Sequence, residues 1–226
     1  MKNFKIITLI SLSLYFCTSI GVYSQGNVSI HIGPSIPVSS FASDDMNDEY
    51  ACGAAVGINA GLQYTYQFPE ICLGLFGGVD FHYCGLKNSV KDDIKEVFED
   101  NGIDASFKFY KYINIPLTVG LNHTFQANDK IGFFVYEGLA LNFLKITDME
   151  IRASGQTATS EIELAERLGL KVGGGIILKN KTTISVDYYG LGIHKIKGEA
   201  TAPGYSEDIE GKAKVDLLTV TLGIKF

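Results

Sequence analysis

This chain has no tryptophan, only five prolines and four histidines, and 19 basic residues against 25 acidic ones. Beyond residue 24 it has no apolar run near the length of about 20 residues that a membrane helix needs. A helical membrane protein is therefore excluded. The acid excess argues against nucleic acid as a partner, because a basic face is what attracts phosphates. No hydrolase motif, phosphate-binding loop or metal-ligand spacing is present, and no cofactor is expected.

What is present begins with a leader. Lys2 and Lys5 precede an apolar run from Ile6 to Phe16, and Val22-Tyr23-Ser24 offers a small residue before a cut ahead of Gln25. Residues 1–24 read as a secretory signal peptide and residues 25–226 as one domain. Removing the leader takes away two lysines and no acid, so the formal charge of −6 falls to about −8. Cys17 does not suit lipidation, because Phe16 stands where a small residue is needed.

The rest is written in a period of two. At the end of the chain Leu218, Val220, Leu222, Ile224 and Phe226 alternate with Thr219, Thr221, Gly223 and Lys225. Side chains on a strand point alternately to its two faces, so this is a strand with one oily and one polar side. The same text appears at 27–33, 53–66, 71–83, 107–125, 131–143, 167–178, 182–193 and 215–226. The connections between them run long, short, long, short, long, short, long. Outer-membrane barrels have short periplasmic turns and long extracellular loops. The expected fold is all-β: an eight-stranded antiparallel up-and-down transmembrane β-barrel. A soluble barrel, oily inside, has the same alternation. The leader, the closing Phe226 and the loop asymmetry favour the membrane.

Within the fourth strand, Tyr112-Ile113-Asn114-Ile115-Pro116-Leu117 resembles the Tyr-Leu-x-Ile-Pro-Leu signature of an outer-membrane β-barrel family that includes the PorT-like proteins. Weaker matches are Tyr136-Glu137-Gly138, Leu168 to Gly175, Tyr188-Tyr189-Gly190-Leu191 and the closing Thr221 to Phe226. The resemblance covers nearly all of residues 25–226. It implies the fold and the outer membrane, and no activity. One branch of the family is associated with protein secretion.

Asp80, Lys171 and Asp187 fall on the polar parity of their strands and are expected inside the barrel as a charge network. An eight-stranded barrel is barely wide enough for its own side chains, so charges there must pair. His31, His82, His123 and His194 lie on four strands. His82 is two residues from Asp80, but no nucleophile is held beside it by spacing, so a polar network is expected rather than a catalytic one. Glu137 has lipid-facing parity near mid-strand, a costly position, and a β-bulge turning it inward is expected. Folding the second hairpin about Phe68 sets Cys52 across from Cys84, so a disulfide is expected there, with Cys72 free. Residues 91–99 are expected to form a short helix on the barrel rim, with Ile94, Val97 and Phe98 on one stripe.

The leading functional expectation is a non-enzymatic, monomeric barrel in outer-membrane lipid that displays its loops for binding or surface protection. The alternatives are a component of an envelope or secretion assembly with a protein partner, and a lipid-modifying enzyme.

Overall fold

The computed structural model describes residues 26–45, 47–68 and 71–226. The expected signal peptide, residues 1–24, lies outside them. In chain order the elements are β1 (Gly26–Pro37), α1 (Ser39–Ala42), β2 (Gly57–Gln67), β3 (Leu73–Cys84), α2 (Asn88–Asp100), β4 (Ala105–Lys108), β5 (Tyr112–Asn128), β6 (Ile131–Ile146), β7 (Met149–Ala153), β8 (Gln156–Ile162), β9 (Ala165–Leu178), β10 (Thr182–Ala202) and β11 (Tyr205–Lys225). Eight of the strands form a ring in the order β11-β1-β2-β3-β5-β6-β9-β10, and β10 pairs with β11 to close it. Every pairing is antiparallel. Closure leaves no strand edge unpaired within the ring, which is what lets strands cross lipid.

Parity decides which side is out. Ile30, Ile32, Val119, Leu139, Leu168, Leu222 and Ile224 are exposed on the outer surface, whereas Asp80 and Lys171 on the inner surface are each 1% exposed. A soluble barrel would reverse these. An exposed belt of this size demands an apolar surrounding. The barrel spans a membrane, and an antiparallel barrel of this build is an outer-membrane structure.

The tertiary structure departs from expectation in three ways. First, the third and fourth long connections are not irregular loops. β10 and β11 run on beyond the belt as one hairpin to a turn at Pro203–Gly204, where Gly204 has a φ of +80°. Gly198 to Thr201 of β10 then pairs with β8, β8 with β7, and β7 with β4. The result is a five-stranded extracellular cap. Second, the expected strand at 107–125 is divided. Phe107 lies in β4 of the cap, and the barrel strand starts at Tyr112. Third, the ladders on both sides of Glu137 are unbroken, with Leu121 opposite it on β5 and Val172 on β9. No bulge turns it inward. Glu137 is exposed in the middle of the apolar belt.

Residues 91–99 do form part of a helix, α2. Its Val90 and Ile94 pack on the apolar cluster at the barrel mouth, and Phe98 meets Phe107 edge-on at 5.1 Å. Val97 is left exposed.

Candidate functional site

The lumen is built in layers. Lys171 Nζ of β9 donates to Asp80 Oδ2 of β3 at 3.1 Å. His31 Nε2 of β1 lies 2.6 Å from Asp80 Oδ1. Gly61 makes room for this meeting: a Cβ there would sit 2.3 Å from Asp80 Oδ1 and 2.4 Å from His31 Nε2. The Lys171 ammonium also stands over the rings of Tyr189 and Tyr136, at 4.8 and 5.3 Å. Asp80 and Lys171 are thus brought together, but Asp187 is not joined to Lys171. The β9–β10 register places Tyr189 across from Lys171 and Gly173 across from Asp187. Asp187 instead accepts hydrogen bonds from three hydroxyls, those of Tyr136, Ser185 and Thr219. Hydroxyl donors satisfy a buried carboxylate without a second cation.

Toward the extracellular side comes a layer of amide and imidazole. His82 Nδ1 is 3.1 Å from Ser35 Oγ, and Asn142 Nδ2 bridges Asn114 Oδ1 at 2.8 Å and His194 Nε2 at 3.0 Å. Ser35 and His82 are fully buried. Among the described residues no carboxylate hydrogen-bonds to His82. His123 lies on the outward parity of β5, opposite Leu73.

Below the ion pair a narrow polar vestibule, about 540 Å³ counting its open mouth, opens to the periplasmic end, bounded by Ser29, His31, Gln63, Tyr136, Ser185 and Lys225. Above the amide layer the mouth is stopped by buried Phe41, Tyr112, Leu144, Leu191 and Leu217. Phe41, on α1, meets Tyr112 edge-on at 5.1 Å. The Tyr112 hydroxyl donates to the carbonyl of Cys52, tying the first loop over the mouth. The tyrosine that opens the Tyr112–Leu117 motif is therefore a latch for the plug. That role rests on a contact to a residue 60 positions away, and nothing in the sequence signalled it.

The expected Cys52–Cys84 disulfide is absent. Both are buried thiols: Cys52 Sγ donates to the carbonyl of Tyr50 at 3.3 Å, and Cys84 Sγ to Ser35 Oγ at 3.7 Å. The hairpin does not turn about Phe68. Its register pairs Ile58 with Tyr83, so the next step sets Gly57, not Cys52, across from Cys84. Cys52 sits outside β2, and burial pushes its thiol up to about 12. Cys72 is exposed near the opposite turn.

The cap is fastened by ion pairs. Lys212 Nζ of β11 reaches Glu49 Oε2 of the first loop at 3.2 Å, and Glu150 of β7 holds both Lys108 and Arg152. Among the described residues no group of His, Cys, Asp and Glu is arranged to hold a metal.

No protein-family model matches the sequence, and no curated protein matches it. Solved structures similar to the chain are outer-membrane or surface proteins. Neisserial surface protein A is 13% identical, with 89% of this chain and 96% of that one covered, at a TM-score of 0.45. OprG from Pseudomonas aeruginosa is 14% identical over 90% and 97%, at 0.49. A major outer membrane protein from Thermus thermophilus is 14% identical over 89% and 98%, also at 0.49.

Proposed function

We propose that the chain is a non-enzymatic outer-membrane barrel that works, as a monomer in lipid, by holding its extracellular cap in place to bind. The observation that carries this reading is the double closure of the lumen. A buried Lys171–Asp80 pair and an apolar plug under Phe41 stand in series, so the interior serves as a rigid core and the built surface lies outside. A rigid scaffold presenting connecting segments is a common route to recognition. Replacing residues 195–212 by a short turn tests it. The barrel is expected to keep its heat-dependent gel mobility and to lose surface binding or protection. Loss of the closed barrel, or unchanged binding, sinks the reading. In planar bilayers the intact protein is expected to show no steady conductance.

A second reading has one observation in its favour. Glu137 sits amid lipid-facing Leu121, Val135, Leu139 and Val172, where a carboxylate is costly. A lateral protein partner supplying a donor there would offset that cost and make the barrel part of an envelope assembly. The PorT-like resemblance of Tyr112–Leu117 belongs to this reading. Membrane cross-linking from a Glu137→Cys variant tests it: a discrete heterologous adduct supports it, and lipid-only surroundings do not.

A further inference from the structure

The cap does not rest flat on the barrel mouth. Between the first loop and the inner face of the β7–β8–β10–β11 sheet lies a cleft of about 730 Å³, counting its open mouth. Cys52 and Tyr112 line it at the barrel mouth, and Ile146, Met149, Ile162, Ile196, Ile209 and Ala213 give it aliphatic walls. Ile146 and Ile209 remain partly exposed although they border the apolar cluster.

The polar groups of the lining are already committed. The Tyr112 hydroxyl donates to Cys52, and the Tyr110 ring meets that of Tyr112 edge-on at 5.4 Å. The Cys52 thiol donates to Tyr50, and Thr147 Oγ1 accepts from the Lys111 amide. Lys212, at the edge, is held by Glu49 and lies over the Tyr50 ring at 5.5 Å. Among the described lining residues only Ser160 and Tyr110 bring a side-chain hydroxyl with no hydrogen-bond partner to the cleft. Water is poorly held in such a space, because it needs two to four polar partners. Lys212 is the one charged residue among the described lining, and it lies at the edge, paired with Glu49.

From this geometry we propose that the cleft is a binding site for a neutral aliphatic molecule, a saturated chain with at most one hydroxyl-like end facing Ser160. The proposal rests on the display reading and gives its cap a ligand class. Concave, mostly apolar sites with one or two placed polar groups are the usual form of small-molecule pockets.

The chain has no tryptophan, so a single one can report from a chosen place. Met149→Trp puts the indole on the cleft wall, and Val97→Trp puts it on exposed α2. Each variant, folded in bilayer nanodiscs, is titrated with bromoundecanol, whose bromine quenches indole on contact. Saturable quenching is expected for Met149→Trp, with only a weak, non-saturating response for Val97→Trp. Ala51 also lines the cleft. Adding Ala51→Phe or, separately, Ile209→Glu to Met149→Trp is expected to raise the half-saturating concentration at least about ten-fold, equivalent to about 1.4 kcal/mol. Heat-dependent gel mobility shows that each variant is folded. Non-saturating quenching of equal slope at both positions overturns the proposal, as does saturation that neither added substitution weakens. Either result leaves the display reading to stand or fall on cap removal and conductance.

Discussion

Lys171 and Asp80 meet across the lumen from β9 and β3, three strands apart around the ring, with 3.1 Å between Nζ and Oδ2. Removing one partner of a buried pair leaves the other charge without compensation. Lys171→Met is expected to destabilise the barrel by about 3 kcal/mol, and the double variant Lys171→Met, Asp80→Leu to recover most of that loss. Urea unfolding in bilayers, followed by gel mobility, measures both. An unchanged midpoint for the single variant would show that the pair carries no stability.

Gly61 is expected to tolerate no side chain. Its Cβ would fall within 2.4 Å of both Asp80 Oδ1 and His31 Nε2. Gly61→Ala should cost a similar amount to breaking the pair, on the order of 2–3 kcal/mol, as crowding in a packed interior does. A wild-type urea midpoint would mean that the lumen is looser than this packing.

Glu137→Leu is expected to stabilise the isolated barrel in bilayers by about 1–2 kcal/mol, because it removes a carboxylate from the middle of the lipid-facing belt. The same substitution lowering stability only in native membranes would instead identify Glu137 as a contact with a partner.

The thiols divide by place. Cys72 is exposed, whereas Cys52 is buried and its thiol is pushed up to about 12 by burial. The thiolate is the reactive form, so at neutral pH a maleimide should label Cys72 rapidly and Cys52 only after unfolding. Non-reducing and reducing gels of the folded protein should coincide. A reductant-sensitive intramolecular shift would restore the Cys52–Cys84 bond, since both thiols are free in the structure.

Attachment of the first loop should weaken in acid. Hydrogen bonds from the Tyr50 hydroxyl and from Lys212 lower the Glu49 carboxyl, while Glu49 raises Lys212. A lowered carboxylate contributes above its unfolded value and is lost as pH falls through the folded one. Faster amide exchange around Tyr50 is therefore expected on the acid side of the carboxylate range, and Lys212→Ala should reproduce it at neutral pH. Exchange that is indifferent to both would mean that the loop is held by its other contacts, such as the Tyr112 hydroxyl on Cys52 and the Ala54–Leu86 bridge.

Much of this molecule was legible because its signals are local. Alternation at Leu218 to Phe226 needs only neighbouring residues, and the same holds for all eight barrel strands and for the long and short connections between them. The cap was hidden because residues 195–214 are broken up by charge and glycine, which masks a strand that is half solvated on both faces. Glu137 was legible as a conflict. The expected remedy was wrong because a bulge needs an extra residue in the ladder, and both neighbouring ladders run past Glu137 without one.

Period by itself determined a barrel with one oily and one polar face and put Asp80, Lys171 and Asp187 on the polar one; the leader, the closing Phe226 and the loop asymmetry turned the oil outward. They could not say who meets whom inside. Asp80 and Lys171 are separated by 91 residues, and their contact depends on the stagger of every strand between them. That stagger gives Asp187 hydroxyl partners instead of Lys171, sets Gly57 across from Cys84, and brings Tyr112 under Cys52. Strand register is a property of pairs distant in sequence, and only the folded ring decides it.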